Sequence, residues 1–125
     1  MIDSDLLANL PEESFLRVRI HTVRVSIEQL AADAFSKITG APTRQTRTTT
    51  KLLCLLPDDD LEKWHETLGI IRLAQYCYRR TSDVLHGRAT LVGVTPAMVD
   101  EWEEIADRLA SLHRSRFGPK SRPIS

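Results

Sequence analysis

Arg79, Asp83 and His86 follow one another at spacings of four and three in the segment Arg79-Arg80-Thr81-Ser82-Asp83-Val84-Leu85-His86-Gly87-Arg88. If that segment is helical, the three side chains share a face, because each residue advances by about 100°. Arg79 and His86 then return to within about 20° of each other. Arg80 points about 120° away from His86, which favours Arg79 as its partner. An arginine can hold a phosphate and a histidine can move protons near neutral pH, which together suffice to cleave RNA without a metal. Asp83 is expected to orient the imidazole, and Arg88 adds a further cation. The structural alternative is a helix end whose cations answer the negative pole of the dipole.

Three long elements must position these residues. Ile20, Val23, Ile27, Leu30, Ala34 and Ile38 make an apolar stripe, so a first helix is predicted over 12–39, with Pro11 near its start and Gly40 past its end. Arg17, His21 and Arg24 share one face of it and form a weak candidate RNA-binding surface. Residues 40–50 read as a loop made basic by Arg44 and Arg47, and 51–56 as a short apolar element, helical rather than extended. Asp58, Asp59 and Asp60 suit a helix start. Leu61, Trp64, Leu68, Ile71, Gln75, Tyr78 and Leu85 then repeat at threes and fours, which carries the next helix to about His86 with Gly87 as its stop. Thr95-Pro96 opens the last helix, striped by Val99, Trp102, Ala106 and Leu109, with an acidic outer face. The expected fold is all-α: an antiparallel helical bundle of three long helices and one short one. The domain is expected over residues 1–114, followed by a disordered tail from 115 to 125.

The segment 79–88 is similar to the Arg-x4–6-His signature of the HEPN superfamily (higher eukaryotes and prokaryotes nucleotide-binding), counted as Arg-x6-His from Arg79 or Arg-x5-His from Arg80. The helix order, with Glu28 and Phe35 late in the first helix, resembles that family more loosely. The resemblance implies a metal-independent endoribonuclease, a toxin or defence component, that works as a homodimer whose motif helices meet. It implies His86 as general acid/base and Arg79 as the phosphate-holding cation, with Arg80, Asp83 and Arg88 in support. Arg80 stands where the family more often has Asn, Asp or His. Arg88 stands where toxins paired with a nucleotidyltransferase antitoxin carry a modified tyrosine. The partners implied are RNA, a second copy of the chain and an antitoxin or regulatory protein. Two other readings stay open: a catalytically silent bundle that binds a nucleotide or a protein partner, and an orphan bundle in which the motif is accidental.

Composition narrows the field. The 125 residues make one domain, and 42% hydrophobic content supports one core. Lys plus Arg and Asp plus Glu number 17 each, which excludes a protein that coats nucleic acid through net charge but leaves room for a local basic site. The absence of metal-ligand spacing among His21, His65, His86 and His113 argues against zinc, and no cofactor is expected. Cys54 and Cys77 read as buried free thiols. No membrane span or signal peptide is apparent, so the chain is expected to be soluble and cytoplasmic.

Overall fold

A computed structural model describes residues 12–40, 46–57, 60–86 and 93–118. They form an all-α bundle with no strand among the described residues: α1 (Glu12–Thr39), α2 (Thr48–Lys51, continued by a 3₁₀ turn over Leu52–Leu55), α3 (Leu61–Leu85) and α4 (Pro96–Phe117). None of these helices is long and apolar enough to cross a membrane.

Helix α1 is the spine. Leu16, Ile20, Val23, Ile27, Ala31 and Ala34 are buried along one stripe, and α1 packs on both α3 and α4. Glu12 and Glu13 occupy its first turn, where they favour the dipole. Gly40 ends it at φ 66°, with its N–H on the Ser36 carbonyl at 2.8 Å. That left-handed turn suits glycine alone at little cost. Of the predicted stripe, Leu30 is half-buried and Ile38 is 48% exposed, because the last turn overruns the core.

The loop reading of 40–50 needs correction at its end. The Arg47 carbonyl accepts from Thr50 and Lys51 N–H groups at 3.0 Å each, so helix starts at Thr48. The burial of Leu52 and Leu55 against α1 overrides the weak helical preference of the threonines. The Gln75 amide also donates to the Thr49 carbonyl at 2.7 Å, tying α2 to α3.

Asp60 caps α3, its carboxylate accepting from the Lys63 N–H at 3.1 Å. The rotation of α3 differs from the predicted one. Its buried line is Thr67, Ile71, Ala74, Cys77, Thr81 and Val84, and of the predicted stripe only Ile71 is fully buried. Leu61 is 73% exposed, while Trp64, Leu68, Gln75, Tyr78 and Leu85 flank the contact. Four of the six buried residues, Thr67, Ala74, Cys77 and Thr81, are small, and the large side chains of the predicted stripe other than Ile71 stand to either side. Thr81 satisfies its buried hydroxyl on the Tyr78 carbonyl at 2.8 Å.

The start of α4 is as predicted. Thr95 accepts the Met98 N–H at 3.1 Å, and Pro96 takes the first helical turn. Val99, Trp102, Ala106 and Leu109 are buried, as is Ile105. The expected boundary at 114 falls short, since α4 runs to Phe117, whose ring packs against the core. At Gly118 an added Cβ would lie 2.4 Å from the Arg114 carbonyl oxygen, so the exit from α4 requires glycine. Residues 119–125 lie outside the described residues.

Polar staples cross the bundle from α1 to α4. Arg19 spans Asp100 and Glu103, which hold its guanidinium still further above its ordinary value, Glu103 most of all. Asp33 accepts from Lys37 and His113, and those bonds hold its carboxyl below the usual range.

The rotation of α3 is open to test. Ala74→Leu should force a large side chain into the tight contact and cost about 1–3 kcal/mol. Leu61→Ala, on the exposed first turn, should change stability by no more than about 0.5 kcal/mol. Urea denaturation of the two variants distinguishes this arrangement from the rotated one, in which the order of effects reverses.

Candidate functional site

The site forms where the last turns of α3 meet the middle of α1 and the start of α2. On α3, Gln75, Tyr78, Ser82 and His86 follow at three and four residues, so they form one polar edge beside the buried line. Three of them reach α1. The Tyr78 hydroxyl donates to Glu28 Oε1 at 2.9 Å. Arg24 Nε donates to Ser82 Oγ at 3.2 Å, and Arg24 Nη2 lies 3.4 Å from His86 Nε2. Arg24 also pairs with Glu28 at 2.9 Å and lies over the Tyr78 ring at 5.1 Å.

These contacts fix Arg24 on several sides. Its side chain keeps 22% exposure, and its (i, i+4) carboxylate is itself held by Tyr78. Burial pushes the Tyr78 hydroxyl above its ordinary value; a Thr48 hydroxyl bond opposes this and the Glu28 carboxylate reinforces it. The phenol therefore stays a donor to Glu28. A guanidinium has no acceptor, so a hydrogen bond across this contact requires the Nε2 lone pair, with the ring hydrogen on Nδ1. His86 itself is exposed at the C-cap of α3, with its backbone N–H on the Ser82 carbonyl at 2.9 Å.

Beside this group opens a cleft of about 450 Å³ whose lining includes Arg47, Thr48, Tyr78, Arg79, Ser82 and Asp83. Ser82 belongs to both the cleft and the Arg24 cluster. Arg47 and Arg79 are exposed, and among the described residues neither has an ion-pair partner. The cleft is thus locally cationic in a chain of zero net charge.

The structure brings part of the sequence-derived set together. Arg79 and Asp83 share the cleft, and His86 stands next to it through Ser82 and Arg24. Asp83 is expected to orient the imidazole; the contact seen on the ring is Arg24 Nη2 at 3.4 Å. That contact arrives from α1, 62 residues earlier in the chain. Of the proposed α1 surface, only Arg24 reaches the site. Arg17 pairs with Glu13 at 3.6 Å, and His21 is exposed on the same helix without joining it. Arg80 is absent from the cleft lining, in line with its expected direction, and its Nε is buried with no partner among the described residues. Arg88 and Gly87 lie outside the described residues.

Sequence reasoning missed Arg47, Ser82, Tyr78 and Glu28 as members of one cluster. A helical pattern signals faces within one element; these contacts join three. Other chemistries find little support here. Burial pushes the Cys77 thiol up to about 12, and burial also raises Cys54, so neither is an activated nucleophile. Among the described residues no group of three or more His, Cys, Asp or Glu side chains could hold a metal ion.

Comparison with protein-family models, with curated proteins and with solved structures found no match to this chain.

Nitrogen-15 spectra of the imidazole test the Arg24 contact. The neutral His86 ring should be the Nδ1–H tautomer, and Arg24→Met should shift it toward the Nε2–H form. An Nε2–H tautomer in the unmodified chain would break the assignment.

Proposed function

We propose that this chain is a metal-independent endoribonuclease of the HEPN type, acting as a homodimer in the cytoplasm as a toxin or defence component. The observation that carries the reading is an exposed histidine, His86, met by Arg24 and joined through Ser82 to a cleft lined by Arg47 and Arg79. Cleavage of RNA by its own 2′-hydroxyl needs a base for that hydroxyl, an acid for the departing 5′-oxygen and positive charge at the phosphate. His86 takes the proton-transfer role. Arg79 holds the phosphate through its planar fork, and Arg24 sets the imidazole beside it. Neutral overall charge with a local cationic site fits an enzyme that meets RNA at one place.

One histidine at the site of each chain gives one proton-transfer group there, and a two-fold dimer supplies the second. Leu73 and Tyr76, 40% and 55% exposed, stand on α3 in the turns just before Arg79 and offer apolar area for such a contact. An antitoxin or regulatory protein would be a further partner.

A second reading has its own observation. Arg24 engages the His86 lone pair that a base must use, which is also what a silent nucleotide- or protein-binding bundle would tolerate. The 3.4 Å separation is long for a hydrogen bond, so in the ribonuclease reading an incoming phosphate takes over the Arg24 donor and frees the ring.

Purified protein incubated with RNA in EDTA tests the choice. Cleavage should yield 2′,3′-cyclic phosphate ends and fall by about a hundred- to ten-thousand-fold in His86→Ala with helicity unchanged. Arg79→Ala should abolish it, Arg79→Lys should recover part, and Arg80→Ala should matter less. Cleavage that needs Mg²⁺, or that survives His86→Ala, would refute the assignment. No cleavage of any RNA would favour the silent bundle.

A further inference from the structure

We infer that the outer face of α3 around Tyr76 seats a single strand of RNA, with one base stacked on the Tyr76 ring and the backbone held by Arg72 and Arg80. This rests on the reading above only in taking RNA as the polyanion that the chain meets. Tyr76 is 55% exposed, whereas Tyr78 is drawn in by Arg24 and Glu28. The helical neighbours of Tyr76, three and four residues away, are Arg72 and Leu73 before it and Arg79 and Arg80 after it, with no acid among them. Arg72 and Arg80 each stand about one turn from the ring, about 40° round the helix to either side. No ion pair among the described residues involves either of them. Arg80 also keeps a buried Nε without a hydrogen-bond partner among those residues. Gly69, about two turns before the ring, carries no side chain, and the space where a Cβ would stand is open.

Cations alone would hold any polyanion, and a ring alone would hold any apolar surface. Alternating at one-turn spacing, they match a strand whose bases offer a π-face and whose backbone repeats a charge. An acidic protein segment would answer the arginines and leave the ring idle. Duplex RNA would answer them too, but its bases are already stacked on one another and give the ring nothing. Tyr76 lies about 15 Å along the axis before His86, and Arg79 stands between them. The base on Tyr76 therefore belongs to a nucleotide outside the bond being cut, and this face sets how the strand enters. Asp83, beyond Arg79, has a partner of its own, and no contact with the strand is assigned to it. Leu73, about 60° round the helix from Tyr76, is left for a second copy of the chain.

The full-length chain carrying His86→Ala, which leaves RNA uncut, can be titrated in EDTA against a short fluorescent oligoadenosine and against its duplex with oligouridine. Anisotropy should show the single strand bound more tightly than the duplex. Tyr76→Ala should weaken the single strand about tenfold and leave the duplex unchanged, while Tyr76→Phe, which keeps the ring, should bind as its parent does. Arg72→Gln and Arg80→Gln should each reduce the slope of log affinity against log salt by about 0.7, as loss of one phosphate contact does. Arg114→Gln, which removes the same charge near the end of α4, should leave affinity and slope unchanged. Equal affinity for single strand and duplex, or full binding by Tyr76→Ala, would overturn the inference. So would a Tyr76→Ala loss that sedimentation traces to a dimer falling apart, since the ring would then belong to a second copy. Single-strand binding as described without hydrolysis by the unmodified chain would defeat the ribonuclease alone. Hydrolysis together with full binding by Tyr76→Ala would defeat the Tyr76 surface alone.

Discussion

The packing of α3 against the rest of the bundle governs what meets at the candidate site. Thr67, Ala74, Cys77 and Thr81 face the core where larger side chains could have stood. Their small size fixes the rotation of α3, since turning the helix would drive Leu68 or Tyr78 into a space they overfill. That rotation places Gln75, Tyr78, Ser82 and His86 along the edge toward α1 and α2, and sets Arg79 and Asp83 into the cleft. The polar seam follows from the apolar packing.

Much of the fold was legible in the sequence because it is written in local signals. Helix α1 occupies Glu12–Thr39 as its stripe and terminal glycine foretold, and the caps at Asp60 and Thr95 act through their side chains. The rotation of α3 was not legible. Large apolar residues dominate a periodicity reading, and here most of them flank a contact in which alanine, cysteine and threonine, whose hydrophobic signal is weak, outnumber Ile71 and Val84. The short α2 was partly hidden too, because its helicity depends on burying Leu52 and Leu55 against α1. At the site, Arg79 and Asp83 could be grouped by spacing alone. The Arg24–His86 contact and the arrival of Arg47 could not, since both depend on how separate elements pack.

Charge is partitioned in the same way. On the side of α1 toward α4, Arg19 is neutralised by Asp100 and Glu103, and His113 and Lys37 meet Asp33. On the side toward α3, Glu28 answers Arg24 alone, and the cleft holds two cations, Arg47 and Arg79, to the one carboxylate of Asp83. A chain with balanced totals therefore presents a positive site at one place. Such a site draws a phosphate ligand without giving the whole surface affinity for nucleic acid.

The most direct measurement is a crystal structure of the protein with a short RNA whose scissile 2′-hydroxyl is methylated, so that cleavage is blocked. The account predicts a phosphate bridging Arg79 and Arg24 within hydrogen-bond reach of His86. RNA bound on another face, or bound here with His86 turned away from every phosphate, would contradict it.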